Sequence, residues 1–375
     1  MGNFQIIKHT WSKATLAGAL LSVLISSCDG PGGGPNEVNF DQEAMLSHVG
    51  QNIILPAYQT FSSDVSALAA SLQAFETEPS QANLEAMQSA HLLAWESYQA
   101  VSPFNFGPAD ANGLSNYNIY PTDVQQIESN IGATSYDLNT AENIDAQGFP
   151  AIDYLLHSED TQEATLQALS NEARLGYLKD VVAALNLATS ATAEAWSATG
   201  GNYVEQFATN TGTDVGSSLG MLVNTFNQDF ELLKNGQLGI PLGKRTLGEA
   251  LPDRVEAYYS GISASLAQAH LEAIHELYRG IGADGTNGPS LEDYLEAINP
   301  IFDGETPLVE AIATQMQETT TALAALPDPL SETILSQPSL VEAAWDEVQA
   351  QVILFKTDMP SALGVLITYQ DNDGD

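Results

Sequence analysis

The stretch Gly148-Phe149-Pro150-Ala151-Ile152-Asp153-Tyr154-Leu155-Leu156-His157 marks the point where a turn-rich, polar segment ends and an apolar helix begins. Gly148 can adopt backbone angles that other residues avoid, and Pro150 suits the first turn of a helix, where its missing N–H is not needed. The apolar residues that follow recur at helical spacing, which predicts a buried helix. Asp153 and His157 are four residues apart and therefore lie on one flank of that helix.

Helical periodicity continues on both sides of this stretch. Apolar residues recur every three or four positions in most long segments, and no alternating pattern predicts a convincing strand. We therefore expect an all-α fold of two packed helical bundles, the first over residues 40–200 and the second over residues 201–370. Residues 102–147 differ, because Pro, Gly, Asn and Asp are frequent there. They predict a long irregular connection with one short helix near residues 124–131, and connections of this length often carry function.

The two ends of the chain have their own signals. Residues 1–27 carry two lysines, a short apolar run and a small-residue end, the pattern of a lipoprotein signal peptide, and Cys28 follows directly. We expect Cys28 to be the lipidated N-terminus of the mature protein; the alternative is an ordinary buried thiol. Residues 28–39 are predicted to form a flexible Gly/Pro tether, and residues 371–375 an acidic tail. Because Cys28 is the only cysteine, disulfides within the chain are excluded.

The charge balance is strongly acidic. The chain has 10 Lys and Arg against 48 Asp and Glu, a formal net charge of −38. Such a chain repels phosphate backbones, so we expect neither nucleic acid nor anionic lipid headgroups as partners. With 44% hydrophobic residues it has the composition of a folded protein rather than of a disordered acidic tail.

The opening stretch resembles the signature segment of the imelysin family, bacterial envelope lipoproteins related to peptidases, whose pattern is Gly-x-His-x-x-Glu followed by an aromatic residue and two leucines. The chain departs from this pattern at two positions, with Pro150 in place of His and Asp153 in place of Glu. Other stretches resemble the family in the same order, so the resemblance extends over about residues 40 to 370. They are Trp95, residues 104–108, residues 120–123, residues 174–178 with Trp196, and residues 254–260 with Ser263.

The resemblance implies a two-domain all-α fold, a location in the cell envelope and a role in the uptake of iron or another metal. The family is grouped with metallopeptidases because of its His-x-x-Glu. Pro150 offers no lone pair to a metal, so this grouping is in question for this chain.

Asp153 and His157 together are a candidate pair of ligands for a divalent ion, which could be iron, zinc or calcium. The alternative is that Asp153 hydrogen-bonds a loop and that His157 lies at the surface of a bundle. A second group of His and Glu residues at 270–276 is predicted to be a solvated helix face. His91 is predicted to be a hydrogen-bonded histidine of the core.

From these observations we expect a non-enzymatic protein, tethered to the membrane through Cys28, that binds a ligand or an envelope protein of metal uptake. The binding site is predicted at the junction of the bundles, between the 148–157 helix, the 102–123 connection and a helix at 254–263. Its predicted residues are Gly148, Pro150, Asp153, Tyr154, Glu256 and Ser260. One alternative is a zinc metallopeptidase that uses Asp153, His157 and another carboxylate. Another is a structural surface protein with a filled interface between the bundles.

Overall fold

Helices make up nearly all the regular structure of residues 40–369, the part of the chain that the computed structural model describes. The predicted signal peptide, Cys28, the predicted tether and the tail at 371–375 lie outside these residues. The structure confirms the all-α prediction. No helix in the described part of the chain is long and apolar enough to cross a membrane.

The described part of the first half, residues 40–200, contains eight α-helices. They are α1 Gln42–His48, α2 Leu55–Thr77, α3 Gln81–Gln99, α4 Pro108–Ala111, α5 Val124–Gly132, α6 Gly148–His157, α7 Gln162–Leu169 and α8 Glu172–Trp196. Three short 3-10 helices lie within the irregular connection, at Ser102–Phe104, Leu114–Asn118 and Ala141–Asn143. Helix α5 is the short helix that the sequence predicted inside this connection.

The second half contains the remaining helices and one short hairpin. The helices are α9 Tyr203–Thr209, α10 Ser218–Glu231, α11 Ile240–Leu242, α12 Ser263–Arg279, α13 Leu291–Ile298, α14 Leu308–Ala324, α15 Leu330–Ser336, α16 Pro338–Ile353 and α17 Met359–Leu363. A 3-10 helix covers Pro252–Arg254. Strands β1 Ile301–Phe302 and β2 Thr306–Pro307 pair antiparallel.

The long helices bury the apolar stripes that their sequences predict. On α2 every member of the stripe is buried, namely Tyr58, Phe61, Val65, Leu68, Leu72 and Phe75. Ser80 separates α2 from α3 and caps α3, because its Oγ accepts a hydrogen bond from the backbone N–H of Asn83. Helix α2 packs against both α3 and α8 in the first half, and α14 packs against α12 and α16 in the second. Burial of these stripes is the main stabilising force of the fold.

Predicted helix starts agree with the structure only in part. The capping box at Ser290 is present in both directions, because Ser290 Oγ accepts from the N–H of Asp293 while the Asp293 carboxylate accepts from the N–H of Ser290. The pattern Ser339-Leu340-Val341-Glu342 also predicts a capping box, but this prediction is wrong: α16 begins at Pro338, which suits the first helical position, so Ser339 lies inside the helix.

The predicted helix at residues 254–263 is also wrong. Residues 255–262 form an irregular loop, and α12 begins only at Ser263. The cap of α12 comes from a distant part of the chain, since the Asp328 carboxylate accepts hydrogen bonds from the backbone N–H groups of Ala264 and Ser265. Gly261 lies in the loop with φ +71°, a conformation that glycine adopts without strain.

Three segments of residues 40–369 are π-helices, which the periodicity did not predict. They cover Val49–Ile54, Leu232–Gly239 and Leu354–Asp358. The segment at Leu232–Gly239 extends α10 into residues 235–247, where frequent glycines predict a connection. π-helices are rare and often occur at functional sites, and this one lies at the junction of the two halves.

The buried apolar residues form one continuous core through both halves. The proposed boundary near residue 200 stays a prediction. Helix α8 ends just before it, while α9, just after it, packs on α1 and brings Phe207 within 6 Å of Trp196. The described residues therefore include contacts that cross the predicted boundary.

Gly148 provides a test of the local constraint at the start of α6. Its φ is +72°, and a Cβ there would lie 2.0 Å from the backbone oxygen of Tyr117. We expect Gly148→Ala to lower the free energy of unfolding by more than about 2 kcal/mol, because a left-handed angle and a clash with backbone combine. Urea denaturation measures the change. Gly176→Ala is the matched control: its Cβ would meet nothing within 4 Å inside α8, so it should be neutral or stabilise by about 1 kcal/mol. An equal effect of the two substitutions would contradict the prediction.

Candidate functional site

The carboxylate of Glu256 is the centre of a buried hydrogen-bond network between the two halves of the chain. Its Oε1 accepts hydrogen bonds from Gln99 Nε2 at 2.7 Å and from Asn118 Nδ2 at 2.6 Å. Its Oε2 accepts one from Gln237 Nε2 at 2.5 Å. Glu256 is only 2% exposed, so these amides replace the water that the carboxylate has lost. Two of the donors come from the first half and one from the π-helix of the second.

His270 extends this network to a second buried carboxylate. Its Nε2 lies 2.5 Å from Asp229 Oδ2, and its Nδ1 lies 3.3 Å from Gln237 Oε1. Both oxygens need a donor, so both ring nitrogens carry a proton and the ring is an imidazolium. Ser102 Oγ donates to the other oxygen of Asp229. We call the following residues the junction network: Gln99, Ser102, Asn118, Asp229, Gln237, Glu256 and His270.

The electrostatics of the network follow from its burial. Burial raises the pKa of Glu256, and the three amide donors together with the charge of His270 oppose this rise. For His270 burial lowers the pKa, but the charge and hydrogen bond of Asp229, with the charge of Glu256, outweigh it, so that the pKa is raised above its ordinary value. The network thus holds a cation between two carboxylates.

Two cavities adjoin the junction network. The larger, of about 450 Å³, is lined by both halves and combines apolar and aromatic side chains with polar groups. Its lining includes Tyr98, Gln99, Ile119, Tyr120, Leu232, Gln237, Ile240 and His270. The smaller, of about 300 Å³, is lined by Pro150, Asp153 and Glu256 among others, and shares Tyr120, Pro121 and Arg254 with the larger. The two cavities are therefore neighbours in one depression.

Asp153 ties α6 to the loop at residues 255–262. Its Oδ2 accepts a hydrogen bond from the backbone N–H of Tyr259 at 2.9 Å, and its Oδ1 accepts one from that of Ser260 at 3.1 Å. This matches the expectation that Asp153 hydrogen-bonds a loop. Burial raises the pKa of Asp153 to about 7, although the hydrogen bonds with Ser260 and Tyr259 act in the opposite direction.

His91 is a third candidate ligand beside Asp153 and His157, and the sequence did not indicate it. One ring nitrogen of His91, one of His157 and one carboxylate oxygen of Asp153 all lie within 4.8 Å of one another. The third group that the structure places beside Asp153 and His157 is an imidazole on α3, and the alternative that added another carboxylate stays a prediction. Burial lowers the pKa of His157 to about 4, and burial with the neighbouring His157 lowers that of His91 well below its usual value.

The metal pair of the imelysin pattern does not fit this chain. Pro150 occupies the position of its histidine, is buried, and offers no donor atom. Asp153 stands at the position of its glutamate, but without the histidine this pair has only one residue that can bind a metal. We therefore derive no chemistry from that pair.

The other predicted residues lie close to the junction in different roles. The Tyr154 hydroxyl donates to Glu128 Oε1 at 2.8 Å and its ring contacts that of Tyr259, but it lines neither junction cavity. Ser260 contributes its backbone N–H, while its Oγ is buried without a partner. Gly148 allows the close approach of α6 to Tyr117 rather than contacting a cavity.

Sequence reasoning missed most of the junction network. Four members were not singled out at all: Gln99, Ser102, Asn118 and Gln237. Asp229 was also missed, since it lies on α10 among buried positions with no motif around it. The predicted solvated face at 270–276 is wrong for both of its histidines, because His270 and His275 are buried. His275 instead meets Gln351 at 2.7 Å. An acid or amide on an otherwise apolar helical stripe is the only signal that could have indicated these residues.

Comparisons with known proteins agree with the fold. The family model described as Imelysin (Peptidase_M75) matches residues 54–353. Iron-regulated protein A of Synechococcus elongatus is 26% identical over 332 residues, which cover 85% of this chain and 83% of that protein. Among solved structures, that of an iron-regulated protein A precursor from Parabacteroides distasonis has a TM-score of 0.71 at 16% identity, over 86% of this chain and 95% of that one. An imelysin-like protein from Psychrobacter arcticum has a TM-score of 0.64 at 18% identity, over 88% and 97%. At these identities the two structures show a shared fold.

The charged state of His270 predicts a pH dependence of stability. A histidine with a raised pKa contributes stability that is complete below its unfolded pKa of about 6.5 and is lost as pH rises through its folded pKa. The groups that face it are Asp229 and Glu256. We expect the stability difference between the unsubstituted chain and His270→Gln to shrink from pH 6 to pH 9, with a slope of up to about 1.4 kcal/mol per pH unit. Urea denaturation at several pH values measures it.

His275→Gln is the control for this experiment. Burial lowers the pKa of His275 to about 4, so this ring is neutral from pH 6 to pH 9 and its loss should shift stability by a constant amount. A constant difference for His270→Gln as well would show that His270 is neutral in the network.

Proposed function

The chain belongs to the imelysin family, and from this membership and the geometry of the junction we propose that it is a lipid-anchored envelope protein that binds a small organic ligand between its two halves. In this proposal the binding serves the acquisition of iron or another metal, and the protein catalyses no reaction. The observation that carries the proposal is the cavity of about 450 Å³ that both halves line beside the junction network.

The cavity has the size and lining of a small-molecule site. Such sites are concave and mostly apolar, with a few polar groups that orient the ligand. Here Tyr98, Ile119 and Ile240 provide apolar surface. Gln237 and His270 reach the same cavity, and hydrogen bonds within the junction network hold both in place. A purely structural protein predicts a filled interface instead, and this cavity argues against that alternative.

The iron context rests on the relatives. Two of the proteins to which this chain is similar carry the name iron-regulated protein A. That name states that iron regulates those proteins, and we extend the link to iron to this chain as part of the proposal.

Peptide hydrolysis is not part of the proposal, although the family model carries a peptidase name. The pattern behind that name needs a histidine where this chain has Pro150. Cleavage of a peptide by the purified protein, abolished by a chelator, would contradict this.

Ligand binding can be tested with 1-naphthol, an uncharged aromatic alcohol that the acidic chain does not repel. We expect saturation-transfer NMR to show binding with a dissociation constant of about 1 mM or tighter. Ile119→Trp places a larger side chain in the cavity and should abolish the signal. Leu187→Trp is the matched control, because Leu187 is 73% exposed on α8, and it should leave binding unchanged. Absence of binding to the unsubstituted chain, or equal binding to both variants, would contradict the proposed site.

Lipid anchoring depends on Cys28. We expect the full chain, expressed in a bacterial host with its signal peptide, to incorporate labelled fatty acid and to sediment with membranes. Cys28→Ser should lose both properties, because the thiol that is acylated is absent. A Cys28→Ser protein that stays on membranes would show that something else attaches the chain.

A further inference from the structure

Three side chains with the chemistry of metal ligands converge between α3 and α6, and two of them carry atoms without a partner. The ligand atoms of His91, Asp153 and His157 lie within 4.8 Å of one another. His91 Nδ1 and His157 Nε2 are buried and make no hydrogen bond. Buried polar atoms are nearly always satisfied in folded proteins, so two such atoms in one cluster need an explanation.

The orientation of His91 leaves the right nitrogen available. Its Nε2 lies 3.2 Å from the carbonyl oxygen of Phe149 and donates its proton there. The neutral ring then carries its lone pair on Nδ1, the atom without a partner. A histidine that donates one N–H to a backbone carbonyl and offers its other nitrogen to an ion is the usual arrangement at metal sites. The ring is 0% exposed, which holds it in this orientation.

Asp153 is held in place from the opposite side. The backbone N–H of Tyr259 donates to Oδ2, and that of Ser260 is shared between Oδ1 at 3.1 Å and Oδ2 at 3.4 Å. Oδ1 therefore accepts a single hydrogen bond and keeps a further lone pair. The rings of Trp95 and Phe149 pack against His91 at centroid distances of 5.3 and 6.1 Å. His91 and Asp153 are thus oriented by their surroundings, as the outer shell of a metal site requires.

We propose that His91, Asp153 and His157 together bind one divalent first-row transition metal ion, with water completing its coordination. Ligand atoms about 2.0–2.2 Å from a four-coordinate ion lie about 3.3–3.6 Å from one another. The three ligand atoms lie at most 4.8 Å from one another. Small side-chain rotations that move each ligand atom by about 1 Å would bring them to this spacing. Binding would also satisfy both unpartnered nitrogens.

The donor set selects the class of ion. Two neutral imidazoles and one carboxylate suit Fe²⁺ or Zn²⁺, whereas Ca²⁺ and Mg²⁺ prefer ligand sets made of oxygen alone. An ion can approach from two sides, because the cavity of about 300 Å³ reaches Asp153 and His157 is only partly buried. The net charge of −38 raises the concentration of cations at the surface.

This site differs from the metal pair of the imelysin pattern. Only Asp153 occupies a position of that pattern, while His157 lies one helical turn further on and His91 belongs to another helix. The site also does not depend on the proposed function, because neither histidine lines the larger junction cavity. Metal and 1-naphthol binding can therefore fail separately.

The experiment is a titration of the metal-free full chain with Co²⁺, which reports coordination through its visible absorption. Cys28→Ser is used throughout to remove the single thiol, and excess Mg²⁺ occupies the exposed carboxylates. We expect one equivalent of Co²⁺ to bind with the intense bands of a four- or five-coordinate ion. His91→Gln and His157→Gln should each weaken binding at least tenfold, and His157→Gln should leave 1-naphthol binding unchanged.

His275→Gln is the control, since this buried histidine lies outside the cluster on α12, and it should bind Co²⁺ as before. X-ray absorption of the Zn²⁺-loaded chain without the histidine substitutions keeps the test valid if a variant does not fold, and it should show scattering from two imidazoles. A spectrum with oxygen ligands alone, or unchanged affinity in folded His91→Gln and His157→Gln variants, would overturn the proposal.

Discussion

A buried carboxylate that cannot be left without donors is the constraint on which the junction of this protein depends. Glu256 lies 157 residues from Gln99 and 138 from Asn118 in the chain, yet both donate to it. An unsatisfied buried charge costs several kcal/mol, so the irregular connection, the π-helix with Gln237 and the loop before α12 must come together whenever the protein folds. Apolar burial stabilises one continuous core through both halves, and this network adds polar contacts that specify how the halves meet.

Asp153 applies the same rule to α6. Two backbone N–H groups of the loop at residues 255–262 donate hydrogen bonds to its carboxylate. Helix α6 is therefore joined to the second half by hydrogen bonds as well as by packing. In the imelysin pattern this position is a glutamate paired with a histidine, and Pro150 removes that partner. The shorter acid has a positioning role towards the loop, while histidines from outside the pattern, His91 and His157, lie beside it.

These constraints explain why cavities persist at the junction. The polar side chains there are occupied with one another, so they cannot collapse into the space beside them without losing hydrogen bonds. The space of about 450 Å³ next to Gln237 and His270 is therefore stable, with polar atoms already oriented towards it. Preorganisation of this kind favours ligand binding, because little freedom is lost when the ligand enters.

The sequence by itself determined the all-α fold and the apolar stripes, because both depend on spacing within a few residues, and the order of several resembling stretches along the chain indicated the family. It also placed Asp153 and Glu256 at the junction through the resemblance. It did not determine the π-helix at Leu232–Gly239, the loop at residues 255–262 or the burial of His270. Those were decided by the tertiary structure, since α12 is capped from a distant residue and His270 finds both of its partners more than thirty residues away in the chain. Local periodicity carries no information about such partners, and only the packed fold brings them within hydrogen-bonding distance.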